Sequence, residues 1–272
     1  GVLICNDLAE AEAGVKEIME DKKFGSAGNT MVIEEFMTGR EVSVLSFVDG
    51  KTIRTMTSAQ DHKRAMDGDQ GLNTGGMGTF SPSPFYTEEV DAFCRKYIYQ
   101  PTVDAMAAEG RPFVGIIFFG LMLTADGPKV LEYNARFGDP EAQVVLPRMK
   151  TDILEVMEAC VNGTLDQTEL EFEDNAAVCV VLASEGYPVK YEKGIPMSGF
   201  EKFEDKEGYY CFHAGTKLEN GQIVTNGGRV VGITAKGKDL KEARKNAYEA
   251  TEWIQFANKY MRHDIGKAID EA

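Results

Sequence analysis

The segment that decides the interpretation of this chain is VLEYNARFGDPE, residues 130–141. It opens as an apolar β-strand, in which side chains alternate between the two faces. Glu132 and Asn134 therefore emerge on one face, about 7 Å apart along the backbone. A carboxylate and an amide oxygen that point together can bind Mg²⁺, which takes hard oxygen ligands and completes its shell with water or phosphate oxygens. The alternative for such a pair on its own is the solvated end of a strand.

The loop that follows, ARFGDPE (135–141), places opposite charges around a glycine and a proline. In such a loop the guanidinium of Arg136 can be positioned to bind a carboxylate or a phosphate. The alternative interpretation is an internal ion pair between Arg136 and Asp139 at the surface.

A second polar segment lies upstream, where DHKR (61–64) precedes GLNTGGMG (71–78). Four glycines within eight residues permit positive φ angles and close backbone approach, so amide N–H groups can converge on an anion. The spacing matches neither the P-loop nor the dinucleotide-binding pattern, so the loop alone is weak support for phosphate binding. Three consecutive residues that can carry positive charge, in an acidic chain, strengthen it. His62 by itself is interpreted as a structural or surface residue without an acid–base role.

Carboxylates also gather between two predicted strands, residues 31–36 and 41–48. The link between them carries EEFM (34–37), and Glu41 opens the second strand. Two segments joined in this way can present backbone groups and carboxylates at one edge, as the recognition of an adenine and a ribose requires. Solvated carboxylates on a loop are the alternative.

Composition limits the classes of function. The chain has 272 residues, 43% hydrophobic and 27% charged, with a mean hydropathy of −0.27, as expected for a folded protein of about two domains. Its net charge of −15 repels a phosphate backbone, so broad nucleic-acid binding is not expected. The five cysteines form no CxxC pair, and no apolar run is long enough to span a bilayer. A reducing cytoplasm, without membrane or nucleic-acid partners, fits best.

The predicted elements form two regions, separated at residues 163–174, where five side chains are acidic and none is basic. Asp7 and Glu10 form a capping box that starts a first helix. The elements expected after 41–48 are a partner strand at 51–58, a helical stretch at 87–109 with a kink at Pro101, a hairpin of 115–124 with 129–133, a helix at 151–161 capped by Thr151 and ended by Gly163, strands at 177–182, 209–213 and 229–234, and a last helix from Asp239.

Taken together, several motifs resemble the glycinamide ribonucleotide synthetases, also called phosphoribosylamine–glycine ligases, a family of the ATP-grasp superfamily. The motifs are VIEEF (32–36), GREVS (39–43), DHKR (61–64), NTGGMG (73–78), EYNARFGDPE (132–141), EGYP (185–188), HAGT (213–216), GGRV (227–230) and RHDIG (262–266). The likeness covers essentially the whole chain. The Glu-x-Asn pair is shared by many ATP-grasp enzymes, whereas NTGGMG together with RFGDPE is specific to this family.

The resemblance implies an α+β fold, with a mainly antiparallel ATP-grasp sheet, flanking helices and a partial lid, plus a small strand-rich C-terminal domain. It implies residues 1–40 as a remnant of the lid, 41–165 as the catalytic subdomain and 175–272 as the C-terminal domain. The family begins with an N-terminal domain and a lid segment that would precede Gly1. The chain is therefore expected to lack the N-terminal part of its protein and to be nearly inactive alone, because one wall of the site would be missing.

The activity implied by the resemblance is an ATP-dependent carbon–nitrogen ligation in purine biosynthesis. Glycine and 5-phosphoribosylamine would be joined through a glycyl phosphate, giving glycinamide ribonucleotide, ADP and phosphate, with Mg²⁺ or Mn²⁺. The residues implied are Glu34, Glu35 and Met37 at the adenine, Glu41 at the ribose, Glu132 and Asn134 at the metal, and Asp61, Lys63, Asn73, Thr74, Gly75, Gly76, Met77, Gly78, Arg136 and Asp139 around the reacting groups.

Two other functions remain open at this point. One is another ATP-grasp ligase that joins a different carboxylate and amine, which assays with exchanged substrates would reveal. The other is a non-catalytic nucleotide-binding module that kept the fold, which would bind nucleotide without ligation.

Overall fold

The first helix of the computed structural model, α1 (Leu8–Met19), begins at the predicted capping box. The Asp7 carboxylate accepts the backbone N–H of Glu10 at 2.9 Å, which satisfies one of the free N–H groups of the first turn. The structure describes residues 2–271, and the chain divides into two units, Gly1–Arg40 and Glu41–Ala272. Helix α1 belongs to the first unit.

The strand predicted at residues 31–36 is wrong. These residues form no regular element, and Val32 and Ile33 are 78% and 80% exposed. A strand needs a neighbour that satisfies its backbone hydrogen bonds, and none of the described residues before Arg40 forms one. Local apolar composition was therefore insufficient to make a strand here.

The regular elements after α1 are as follows. The β-strands are β1 (Arg40–Asp49), β2 (Ile53–Thr55), β3 (Gln60–Asp61), β4 (Arg64–Met66), β5 (Gln70–Asn73), β6 (Gly78–Ser81), β7 (Val114–Thr124), β8 (Gly127–Asn134), β9 (Ala176–Ser184), β10 (Tyr209–His213), β11 (Thr216–Glu219), β12 (Gln222–Thr225), β13 (Arg229–Gly237) and β14 (Lys259–Tyr260). The α-helices are α2 (Glu88–Cys94), α3 (Gln100–Ala108), α4 (Ala142–Val145), α5 (Ile153–Asn162) and α6 (Leu240–Thr251). Short 3₁₀ turns lie at Gly25–Asn29, Asp67–Asp69, Leu146–Arg148, Leu165–Gln167, Phe200–Phe203 and Lys267–Glu271.

A four-stranded sheet with the order β2-β1-β7-β8 forms the first layer of the larger unit. Strand β1 is buried on both faces, as its two sets of apolar residues predict. Leu45 and Phe47 pack into a core with Phe118 on one face, and Val44 and Val48 pack on the other. The predicted hairpin is confirmed, because β7 and β8 pair antiparallel across the turn at 124–127.

The helical stretch at 87–109 is interrupted just before Pro101. Helices α2 and α3 are separated by a wider, π-type turn at Arg95–Tyr99. Proline has no N–H to donate and its ring clashes with the carbonyl four residues earlier, which here belongs to Tyr97. The helix accommodates this by widening one turn, so the irregularity precedes the proline.

A second sheet has the order β10-β13-β9-β6-β3, with β14 paired to β9, and its neighbouring strands are antiparallel. Strand β9 is central and fully buried, and α6 contributes Ala243 and Ala247 to the core beside it. Strands from both sides of the acidic segment 163–174 thus share one sheet. The boundary placed at that segment stays a prediction.

Two helix starts illustrate how local signals acted. Asp239 caps α6, as predicted, by accepting the N–H of Glu242 at 2.9 Å. The cap of α5 is Asp152 and not Thr151, since the Asp152 carboxylate accepts the N–H of Leu154. The Thr151 hydroxyl instead donates to the carbonyl of Glu169 at 3.2 Å, which ties the helix start to the acidic segment. Within residues 2–271, no helix is long and apolar enough to cross a membrane.

Candidate functional site

Glu132 and Asn134 lie on the same face of β8. They stand opposite Gly120 and Phe118 of β7, and Phe118 packs in the core of that face with Leu45. Tyr133 faces the other way, with its ring 5.5 Å from that of Phe119. A side chain at Gly120 would place its Cβ 2.9 Å from Cγ of Glu132, so this glycine makes room for the glutamate. The shared face follows from the alternation along a strand, whereas the metal-binding role stays a prediction.

Lys63 lies between a carboxylate of β8 and a carboxylate of β1, the strand on the other side of β7. Its Nζ lies 3.3 Å from Oε2 of Glu41 and 3.8 Å from Oε1 of Glu132. Burial lowers the pKa of Lys63, but the carboxylates of Glu41, Glu132 and Asp61 outweigh burial and raise the pKa. The lysine therefore keeps its positive charge throughout the physiological range, between two carboxylates that would otherwise repel each other.

Two carboxyl groups, that of the partly exposed Asp61 and that of the buried Glu141, lie close enough to Lys63 to feel its charge. Burial raises the pKa of Asp61 well above its usual range, and the charge of Glu141 adds to the effect. Burial likewise raises the pKa of Glu141, which is 4% exposed and accepts a hydrogen bond from the Ser43 hydroxyl at 3.1 Å. Both carboxyl groups therefore bind their protons more tightly than a free carboxylate does. Sequence reasoning gave Glu141 no role, because its partner Ser43 lies on β1, 98 residues away.

The glycine-rich loop presents only its first half to solvent. Asn73 and Gly75 are exposed and Thr74 is partly exposed, whereas Gly76, Met77 and Gly78 are buried. Met77 is 0% exposed and packs in the core of the second sheet, and its carbonyl accepts the N–H of Val181. The buried residues Gly76 to Gly78 therefore anchor the loop to the core, and Asn73 to Gly75 are the part that a ligand can reach.

The loop is held at both ends by backbone bonds. The N–H and the hydroxyl of Thr74 both donate to the carbonyl of Lys63, at 2.7 and 2.8 Å. The N–H of Met77 donates to the carbonyl of His62 at 2.8 Å. The loop thus closes back on the residues that carry the charges.

The loop after β8 does not contain the internal ion pair considered from the sequence. Asp139 pairs with Arg229, whose Nη2 lies 3.1 Å from Oδ2, and not with Arg136. Arg136 is exposed and donates to the carbonyl of Phe137 at 2.8 Å. Sequence reasoning missed Arg229, although it lies in the GGRV motif, because nothing local indicates a partner 90 residues away.

The C-terminal segment supports the same region. His62 donates or accepts at two buried backbone groups, the carbonyl of Gly78 and the N–H of Gly266. The side chain of Arg262, 1% exposed, binds Asp264 at 2.7 Å and Asp69 at 2.9 Å. These contacts attach residues 62–69 to the segment 262–266, which lies between β14 and the 3₁₀ turn Lys267–Glu271.

The remaining predicted residues are Glu34, Glu35 and Met37, which belong to the unit Gly1–Arg40. They lie in a stretch without regular structure, and Glu34 and Glu35 are exposed. Their role at an adenine stays a prediction.

A cavity of about 580 Å³ lies near the other face of the four-stranded sheet. It is lined mainly by apolar side chains of the helical stretch, including Pro101 and Met106, and by Tyr133 and Asn134 at the end of β8. The carboxylates and Lys63 lie on the opposite face. We therefore assign the candidate site to the charged face.

Comparison with known proteins gives two family matches. Residues 1–142 match the model described as phosphoribosylglycinamide synthetase, ATP-grasp (A) domain, and residues 177–268 match its C domain. A phosphoribosylamine–glycine ligase of Rhodopirellula baltica is 49% identical over 97% of this chain, which spans 61% of that protein. A trifunctional purine biosynthetic protein of Gallus gallus is 49% identical over 98% of this chain, which spans 26% of it.

Solved structures agree on the fold. The crystal structure of a phosphoribosylamine–glycine ligase from Thermotoga maritima matches with a TM-score of 0.84 and 34% identity, over 98% of this chain and 66% of that one. A biotin carboxylase domain from Hydrogenobacter thermophilus, solved with MgADP and bicarbonate, matches with a TM-score of 0.68 over 94% of this chain and 55% of that one. At 12% identity the second match speaks for the fold alone.

Proposed function

This chain belongs to the phosphoribosylglycinamide synthetase family, and from that membership we propose that its protein ligates glycine to 5-phosphoribosylamine. The proposed products are glycinamide ribonucleotide, ADP and phosphate, formed through a glycyl phosphate. The chain spans 61% of the length of the Rhodopirellula baltica ligase, and the proposed activity is that of the whole protein.

The observation that carries the proposal is that Glu132 and Asn134 share one face of β8 and that Lys63 lies 3.8 Å from Glu132. One carboxylate and one amide oxygen fit the hard-oxygen preference of Mg²⁺ or Mn²⁺, and two protein ligands leave the other positions to phosphate and water. When bound, the ion would neutralise phosphate charge during transfer. Glu132 and Asn134 are the residues that would hold it.

The other residues would position the substrates. Lys63 supplies a fixed positive charge for a phosphate, and the exposed guanidinium of Arg136 matches a carboxylate or phosphate. The accessible part of the loop, Asn73 to Gly75, offers backbone and side-chain polar groups. Phosphoryl transfer depends mainly on alignment and charge neutralisation, so no side chain needs to act as a covalent nucleophile.

The carboxyl pair Asp61 and Glu141 suits the second step. The attacking amine must lose a proton as it forms the bond to the acyl carbon and phosphate departs. A carboxylate whose pKa is raised is a stronger base than a free one, so Asp61 or Glu141 would accept that proton more readily. We also propose the cytoplasm as the location, since all five cysteines are free thiols.

The test is ADP release that depends on both glycine and 5-phosphoribosylamine, measured with the natural full-length protein. Glu132→Gln should weaken MgADP binding in calorimetry by more than about tenfold, because even the loss of an outer-shell partner costs that much. Glu155→Gln, an exposed glutamate on α5, is the matched control and should bind as the wild type does. ADP release that needs neither substrate, or that needs a different amine or carboxylate, would contradict the proposed reaction.

A further inference from the structure

Arg229, at the start of β13, connects the glycine-rich loop Asn73–Gly78 with the loop that follows β8. Its Nη1 donates to the carbonyls of Gly75 and Asp139, each at 2.9 Å, and lies 3.4 Å from the carbonyl of Gly76. Its Nη2 donates to the Asp139 carboxylate at 3.1 Å. The Arg229 side chain is 20% exposed, so these bonds are partly shielded from water. One guanidinium thus bridges the glycine-rich loop and the loop after β8.

The glycines of the loop are required by this bridge. At Gly75, an added Cβ would lie 2.9 Å from Cζ of Arg229. At Gly76, where φ is +115°, it would lie 2.5 Å from Pro140 and 2.7 Å from the Asp61 carboxylate. The two loops therefore approach so closely around the guanidinium that a side chain at either glycine would push them apart.

A second contact comes from the same side of the molecule. The Tyr187 hydroxyl accepts the N–H of Gly75 at 3.1 Å. The Tyr187 ring lies so close to Gly228 that an added Cβ would be 2.0 Å from Cδ2. Tyr187 and Arg229 thus hold the N–H and the carbonyl of the same residue, Gly75.

We propose that Arg229 is a positioning residue that locks the Asn73–Gly78 loop to Asp139, so that the second sheet completes the substrate site. Under this assignment the Asp139 carboxylate orients Arg229 instead of contacting substrate. The expected effect of Arg229 on catalysis rests on the proposed function. Its effect on the order of the Asn73–Gly78 loop does not. Arginine is required because its planar guanidinium can donate to two carbonyls and a carboxylate at the same time. The ammonium of a lysine is a single point charge and cannot reach all of these acceptors.

The lock is tested by hydrogen exchange of the full-length protein, which needs no assumption about the reaction. In Arg229→Ala, the amide of Gly75 should exchange on the order of ten- to hundredfold faster, since the loop loses bonds to a charged donor. Millimolar guanidinium chloride, far below denaturing concentrations, should restore much of the protection. Arg229→Lys should behave like Arg229→Ala. Arg244→Ala is the matched control, because Arg244 also pairs with a carboxylate and is 24% exposed, and its Gly75 exchange should equal that of the wild type.

Kinetic measurements distinguish a positioning role of Arg229 from a general loss of structure. Arg229→Ala should lower kcat/KM for glycine and the amine by at least about tenfold while calorimetric MgADP affinity stays unchanged, and guanidinium should rescue the rate. Wild-type exchange at Gly75 in folded Arg229→Ala, or full activity of Arg229→Lys, would overturn the proposal. If the enzyme lacks the proposed activity but the exchange results hold, the lock stands and only the proposed function fails. If Arg229→Ala does not fold, Asp139→Asn replaces it, with the same expected rise in Gly75 exchange.

Discussion

The stability of the larger unit should fall in mild acid because of one buried histidine. His62 is 9% exposed, and its Nδ1 and Nε2 each lie 3.1 Å from a backbone group. The carbonyl of Gly78 can only accept, so Nδ1 carries the proton, and the N–H of Gly266 can only donate, so Nε2 must be unprotonated. Burial, followed by the nearby charge of Arg262, lowers the pKa of His62 from 6.5 to about 4. A second proton would break the bond to Gly266.

The sign and size of the effect follow from linkage. Between the two pKa values the unfolded chain binds a proton that the folded chain does not, so the free energy of unfolding rises with pH. The contribution of His62 is complete above about pH 6.5 and is lost as the pH falls towards 4. Between pH 7 and pH 5 the loss is about 2 kcal/mol. Asp61 and Glu141 have raised pKa values and act with the opposite sign, so a comparison with a variant is needed.

Urea unfolding of the wild type and of His62→Gln at pH 7, 6 and 5 measures this term. Glutamine cannot be protonated, so the stability difference between the two proteins should shrink by about 2 kcal/mol from pH 7 to pH 5. His213→Gln, which removes an exposed histidine, should follow the wild type. A difference that stays constant with pH would show that His62 has an ordinary pKa, and the tautomer assignment would then be wrong.

Further predictions concern stability and use denaturant unfolding at neutral pH. Gly76→Ala should destabilise the protein by more than about 2 kcal/mol, since the positive φ and the clash with Pro140 act together. Gly163→Ala should cost only about 1 kcal/mol, because Gly163 lies at a helix end with φ of +70° and an added Cβ would meet nothing within 4 Å. Equal losses of stability in the two variants would mean that the Asn73–Gly78 loop relaxes to accommodate the added methyl group, which would contradict the prediction. Arg148→Ala should cost about 3 kcal/mol or more, because Arg148 is 4% exposed and its removal takes a donor from the buried Ser81 hydroxyl and from the partly buried Thr57 hydroxyl. Lys150→Ala, which removes an exposed ion pair, should change stability by less than about 1 kcal/mol, and a larger change would contradict the surface assignment.

Local signals in the sequence predicted most of the regular elements. The caps at Asp7 and Asp239 and the left-handed end of α5 at Gly163 each depend on residues within one or two turns, which a single sequence contains. Strands 177–182, 209–213 and 229–234 were also predicted correctly, since their apolar runs are bounded by turns. The cap at Asp152 was missed by one residue, because Thr151 and Asp152 are both good capping residues and only the acidic segment distinguishes them.

Contacts between distant segments could not be predicted in this way. The pairing of β6 with β9 joins residues about a hundred positions apart, and no local signal in the sequence indicates it. The same holds for the pair Arg229 and Asp139. From the sequence, Asp139 had a nearer candidate in Arg136, and only the folded backbone brings Arg229 within reach.

A chain with a net charge of −15 can bind a polyphosphate only where positive charge is concentrated. Two cations near the site are held by acids of the same site: Lys63 by Glu41 and Glu132, and Arg229 by Asp139. The acids keep these cations in place, and each cation in turn reduces the negative potential of its partner acids. The proposed binding of an anion at the site therefore depends on the two cations. Arg136 differs, since it is exposed at the start of its loop and bonded to a neighbouring carbonyl, which makes it the cation best placed to follow a ligand.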